Sequence, residues 1–205
     1  MSKIASTVLV VLATLAVLGV SALVYLKATG LMARPSPGAI EASVARAARQ
    51  FAVPRAIREM PNPIASSPEV IAEGRAHFAD HCASCHANDG SGNAEMGRAF
   101  FPKAPDMGTE SQALTDGELF YVIEQGIRFT GMPAWGTGTP EGEQASWRLV
   151  HFIRHLPQIT PEEVDEMAAM NPRSPAEVRQ EIEAERFLQG EDLVPAEASA
   201  PVHVH

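Results

Sequence analysis

The sequence predicts an all-α protein: a small helical domain carried behind one membrane-spanning segment and followed by a helical extension. Three observations predict it. The first is an uncharged run of 23 residues, Ile4 to Leu26. The second is a set of later segments whose apolar residues recur at helical spacing between recognisable caps. The third is that no segment shows convincing strand alternation.

The N-terminal run is long enough, at 1.5 Å rise per residue, to cross a hydrocarbon core of roughly 30 Å. A cleaved signal peptide is the rival reading, with Val20-Ser21-Ala22 as a passable processing site. Its apolar core would normally span only about 7–15 residues, so an uncleaved anchor over residues 1–27 is the preferred expectation. Lys3 lies on one side of the run, while Lys27 and Arg34 lie on the other. Nearby charge therefore does not favour export, but long domains translocate largely regardless of it.

Residues 28–66 read as a connector. Pro35, Pro37 and Gly38 break the first helix, and Glu41 to Phe51 can form a short amphipathic one. Pro54, Pro61, Pro63 and Pro68 then favour extended chain over a surface. Arg46, Arg49, Arg55 and Arg58 read as a solvated face, with attraction to anionic lipid headgroups as the alternative.

The compact domain is expected over residues 67–158. Ser67 is a good N-cap, Pro68 suits the first helical position, and Glu69 suits the positive end of the helix dipole. A second helix is signalled by Asp116 and runs through Glu118 to Gln125, with Gly126 closing it; a third runs from about Glu143 to Leu156. Between the first and second, Asp89 to Gly108 is loop-rich, and Asp89-Gly90-Ser91-Gly92 reads as a turn. Such a domain is poor in apolar residues unless something large and apolar fills its centre. Residues 159–190 follow as an acidic helical extension, with helices about 161–170 and 175–189 and Ser174 as the second cap. In the second, Val178, Ile182 and Leu188 leave only a thin apolar stripe, which suggests docking on the domain or a partner rather than an independent core. Residues 191–205 read as a disordered tail, whose His203 and His205 offer a weak case for a transition metal.

Charge and cysteine content narrow the function. A net charge of −9 argues against nucleic-acid binding, which needs a concentrated basic face. The charge is graded. Residues 31–66 hold five Arg against two Glu, residues 67–159 six basic against twelve acidic groups, and residues 160–205 three against eleven. The two cysteines, Cys82 and Cys85, are too close to staple a fold. With His86 they form Cys-x-x-Cys-His, the attachment signature for c-type haem. Two thiols at this spacing reach the two vinyl groups of one porphyrin edge, and the next residue delivers an imidazole to the iron. A thioredoxin-like motif would want a βαβ neighbourhood, and zinc would want a second ligand pair; neither is present.

The stretch HCASCHANDGSG, followed about 45 residues later by GIRFTGMPAWG and a Trp-containing helix, resembles a class I (mitochondrial-type) monohaem cytochrome c domain. The resemblance covers about residues 67–158. It implies a small cytochrome c fold around one covalent haem c, with Cys82 and Cys85 as thioether positions and His86 as one axial ligand. It also implies Met132, in Thr130-Gly131-Met132-Pro133, as the second axial ligand. Met96 and Met107 are alternative sulfur ligands, and His77, His81, His151 and His155 are nitrogen alternatives. Among other residues, Arg98 and Trp135 could hydrogen-bond the haem propionates. In the family the first and last helices of the domain cross closely, which Gly74 would permit, with Phe78, Trp147 and Phe152 at the crossing.

Haem iron with His and Met ligands has no open position, so the expectation is one-electron transfer rather than catalysis. The expected protein is a membrane-tethered carrier with its haem domain on the periplasmic side of a bacterial cytoplasmic membrane. It would exchange electrons with redox partners such as a membrane donor and a terminal oxidase, with no small-molecule substrate. A haem subunit of a larger redox or metal-handling complex is the alternative. A haem enzyme or sensor with a displaceable sixth ligand is a third reading.

Overall fold

The computed structural model describes residues 3–30, 32, 35–173 and 175–189. The expected cap Ser174, the expected stop Gly190, Arg34, and the tail with His203 and His205 lie outside the described residues. Among the described residues the chain is helical throughout and contains no strand.

Helix α1 (Lys3–Thr29) has no buried residue, and it is long and apolar enough to cross a membrane. Its threonines suit that setting. The Thr7 hydroxyl donates to the Lys3 carbonyl at 3.0 Å, and Thr14 donates to Val10 at 2.9 Å, so neither hydroxyl needs an external partner.

Helix α2 (Ala39–Ala52) is the expected amphipathic element of the connector, ended by Val53-Pro54. The chain after it is not simply extended. It forms a one-turn helix, α3 (Arg55–Arg58), and then binds the domain along its length. Val53 is buried, Arg58 pairs with Glu118 at 3.1 Å, and the Thr115 hydroxyl donates to the Arg58 carbonyl at 2.8 Å. The Asn62 amide donates to the Trp147 carbonyl at 3.0 Å, and His151 Nε2 lies 2.8 Å from the Ile64 carbonyl. The second half of the connector is therefore part of the domain surface.

Helix α4 (Pro68–His77) begins as expected, with the Ser67 hydroxyl accepting from the Val70 amide at 3.2 Å. It continues through a π turn, Phe78–Cys82, into α5 (Ala83–His86). A short helix, α6 (Glu95–Ala99), interrupts the glycine-rich loop, and a 3₁₀ turn spans Glu110–Ala113. Helix α7 (Asp116–Gln125) is capped by Thr115 rather than Asp116. Thr115 accepts from Glu118, and Glu118 returns a carboxylate to the Thr115 amide. Helix α8 (Pro140–His155) starts a turn earlier than its apolar pattern suggests, because Thr139 caps it and Pro140 takes the first position.

The core forms where α4 crosses α8. A Cβ on Gly74 would lie 2.3 Å from the Arg148 carbonyl oxygen, so only glycine lets the two backbones approach this closely. Phe78 and Phe152 are fully buried there with ring centroids 5.1 Å apart, and Trp147 stacks on Phe120 at 4.2 Å.

Helix α9 (Pro161–Ala168) docks on this core. Met167 is fully buried, which alone contributes roughly 1.5–3 kcal/mol. Glu163 meets His155 at 3.0 Å and Arg75 at 3.1 Å. The described side chains of α10 (Pro175–Leu188) stay exposed, Val178, Ile182 and Leu188 included, so the stripe expected to dock does not pack on the domain.

Candidate haem-binding site

The helices enclose a cavity of about 560 Å³, within the roughly 300–1,000 Å³ range of pockets that hold sizeable organic ligands. Cys82, Cys85, His86 and Met132 all line it, although Met132 lies 46 residues beyond the Cys82–His86 motif. The π turn carries Cys82, and α5 carries Cys85 and His86. A π turn inserts an extra residue into the helical repeat and is often found at functional sites. Here it joins the core helix α4 to the cysteine motif. Immediately after His86 the chain reverses at Ala87, whose φ of 61° and ψ of 159° are tolerated mainly by glycine.

Met132 belongs to the loop after α7. Gly126 ends that helix at φ +64°, where a Cβ would meet the Pro133 carbonyl carbon at 2.6 Å. The loop is braced by its own hydrogen bonds. The Ile127 amide donates to the Met132 carbonyl at 3.1 Å, and the Met132 amide donates to the Thr130 hydroxyl at 3.1 Å. The Trp135 amide then returns to the Ile123 carbonyl at 3.0 Å. The methionine is thus carried by a fixed turn that packs back on α7.

Another part of the wall is a strap through Pro105 and Met107, also held from both sides. Gln112 Nε2 donates to the Met107 carbonyl at 2.9 Å and to the Ile153 carbonyl at 2.8 Å. Arg154 clamps the following turn through Asp116, the Leu114 carbonyl and the Gln112 carbonyl.

Electrostatics favour neutral donor groups. Burial lowers the pKa of His86, opposed by the Pro105 carbonyl, so the ring is neutral near pH 7. Its Nδ1 is buried and makes no hydrogen bond of ordinary geometry, with the Pro105 carbonyl as the acceptor acting on it. An imidazole aligned in this way through one nitrogen offers the other to a metal. Burial, and then the neighbouring Cys85, push the Cys82 thiol up to about 12. Apolar walls from Phe78, Ile123, Leu149 and Ile153 complete the site. Two thiols, a neutral imidazole and a thioether around one apolar cavity fit a covalently attached haem.

Other candidates separate cleanly. Met107 and Trp135 line the cavity, whereas Met96 is exposed on α6 and Arg98 is exposed away from the cavity wall. Of the four histidine alternatives only His81 borders the cavity, with its ring edge-on to Trp135 at 5.4 Å. His77 stacks edge-on with His81, His151 binds the connector, and His155 binds α9. Sequence reasoning missed Pro105 as the acceptor facing His86, and it missed the wall that α2 supplies. Neither leaves a local signal.

Residues 69–153 match the family described as cytochrome c oxidase, cbb3-type, subunit III. The chain is similar to the cbb3-type cytochrome c oxidase subunit FixP of Sinorhizobium medicae (strain WSM419), with 37% identity over 71 residues, 34% of this chain and 22% of that protein. It is also similar to the FixP subunit of Rhizobium meliloti (strain 1021), with 37% identity over 93 residues, 44% of this chain and 29% of that protein. The matched stretch thus spans less than a third of either relative's length. Helix α1 and these likenesses together support a bacterial membrane-anchored cytochrome. Residues 69–153 therefore match a c-type cytochrome domain, which supports a covalently bound haem c and an electron-carrier role, behind an N-terminal helix that fits a membrane anchor.

Proposed function

We propose that the chain is a membrane-tethered one-electron carrier, with its haem domain on the periplasmic side of a bacterial cytoplasmic membrane. Cys82 and Cys85 would hold the haem through thioethers, and His86 and Met132 would ligate its iron. The observation that carries this reading is the convergence of the Cys82–His86 motif and the distant Met132 on one apolar cavity. When bound, the haem supplies a one-electron iron couple, and a thioether ligand favours the reduced form relative to two nitrogen ligands.

The chain's own residues set the conditions for that couple. Burial keeps His86 neutral and therefore able to ligate, and the Pro105 carbonyl orients the ring. The braced turn from Ile127 to Trp135 holds Met132 in place. Phe78, Leu149 and Ile153 exclude water, which limits solvent rearrangement on electron transfer. A tether keeps the domain near membrane partners and raises their effective concentration. The acidic domain and extension favour basic docking surfaces on those partners. Neither a catalytic residue nor a small-molecule substrate is needed for this role.

A second reading, a haem subunit of a larger redox complex, is favoured by the similarity to FixP proteins, which are cbb3-type oxidase subunits. Redox titration of the detergent-extracted protein, followed by carbon monoxide addition, tests the carrier role. A single reversible one-electron wave with no carbon monoxide adduct is expected. An adduct formed without unfolding would overturn the closed-site reading and favour a haem enzyme or sensor. Recovery of a stoichiometric oxidase assembly in mild detergent would favour the subunit reading.

A further inference from the structure

Helix α2 turns its charged side, not its apolar side, toward the domain. Ile40, Val44 and Phe51 share one stripe and are exposed. Ala42, Ala45, Arg46 and Arg49 share the opposite stripe and form part of the cavity wall. No α2 residue is fully buried, so apolar packing does not hold this helix in place.

The two arginines stand at a junction. They border the large cavity and also a smaller one of about 400 Å³ that includes Pro105 and Glu110. Arg46 reaches only the Ser43 hydroxyl, at 3.5 Å, and neither arginine pairs with a carboxylate of the described residues. Lys103 is the other Lys or Arg on the cavity wall. A haem brings two propionate carboxylates to such a cavity. Burying a carboxylate is unfavourable unless it is paired, and guanidinium is the side chain best matched to it.

We propose that Arg46 and Arg49 bind the haem propionates, so that the connector helix α2, outside the family-matched residues, is part of the cofactor site. The proposal rests on the reading of Cys82, Cys85 and His86 as the attachment site. It makes α2 a clasp between anchor and cofactor, since Ala39 follows Thr29 of the membrane helix by only ten residues. Cations beside the haem favour its reduced form, so removing them lowers the midpoint potential.

The test uses the full-length protein and compares R46Q/R49Q with a charge-matched control, R55Q/R173Q, whose arginines lie off the cavity wall. Midpoint potential, haem content by pyridine haemochrome, and hydrogen exchange of α2 amides are read together. The expected result is unchanged haem content, a midpoint below that of the control, and faster exchange in α2. If the double variant does not mature, R49Q alone should show a smaller shift in the same direction. Equal midpoints for R46Q/R49Q and the control, with haem intact, overturn the proposal. The same holds if the shift appears in phosphatidylglycerol nanodiscs but not in phosphatidylcholine nanodiscs, which assigns the arginines to lipid headgroups. A wild-type protein with no covalent haem would overturn the attachment reading itself, and this inference with it.

Discussion

Replacing Gly74 with alanine sets two effects of opposite sign against each other at the α4–α8 crossing. Inside a helix, glycine is less favourable than alanine by roughly 0.5–1 kcal/mol, so propensity alone predicts stabilisation. The new Cβ, however, would stand 2.3 Å from the Arg148 carbonyl oxygen, 2.9 Å from its carbon and 3.1 Å from Phe152 Cβ. Backbone cannot swing away as a flexible side chain can, so the helices must separate by about 1 Å where Phe78 and Phe152 interlock. Overpacking of this kind typically costs about 1–3 kcal/mol. Packing wins, and the net expectation is a loss of about 1–2 kcal/mol. For a domain of this size that lowers the melting temperature by roughly 4–16 °C. Guanidinium melts of the haem-loaded protein, followed in the far-ultraviolet, measure it. Ala72→Gly, on the exposed side of the same helix, calibrates the propensity term and should lose about 1 kcal/mol. If Gly74→Ala were instead stabilised by about 1 kcal/mol, the close crossing would be wrong.

Two further perturbations test other parts of the account. Ala87 occupies a backbone region tolerated mainly by glycine, where strain is of order 1–3 kcal/mol, so Ala87→Gly should gain about 1 kcal/mol after the entropy of the unfolded chain is counted; a loss in the same melts would contradict that geometry. Burial raises the pKa of Glu163, but hydrogen bonds from His155 and the Thr160 amide, with the charges of His155 and Arg75, outweigh it and leave the pKa below its ordinary value. A carboxyl with a depressed folded pKa stabilises fully above its unfolded pKa, about 4.3, and that stability is lost as pH falls through the folded value. Stability should therefore decline more steeply below about pH 4.5 in the wild type than in Glu163→Gln, and equal acid limbs would refute the α9 clamp.

The parts of the fold that were legible in the sequence are those written locally. Ser67-Pro68-Glu69 and Thr160-Pro161-Glu162-Glu163 each announce a helix start within four residues, and the attachment motif declares its own chemistry. Thr139-Pro140-Glu141 carries the same signal, but its first turn is polar, so the apolar pattern alone starts α8 too late. The docking of the connector is not written locally. Asn62, Ile64 and Val53 meet partners some 85 residues or more away in sequence or under other elements, and nothing in a proline-rich stretch encodes that docking. Met107 and Met132 both reach the cavity, so spacing alone does not rank them. Met132 sits on a turn braced at both ends, whereas Met107 belongs to a strap clamped beneath α8. The basic character of α2 was legible, but the direction in which it faces was not.

The proposed site holds one covalent haem on Cys82 and Cys85, ligated by His86 and Met132. Absorption spectroscopy of the full-length protein beside Met132→Ala tests it most directly, with haem counted per chain by pyridine haemochrome. One haem per chain that resists acidic solvent extraction is expected in both proteins. A weak near-infrared sulfur-to-iron band is expected in the oxidised wild type alone, and carbon monoxide binding in the reduced variant alone. Extractable haem would contradict the attachment site, and a sulfur band that survives in Met132→Ala would move the second ligand to another methionine.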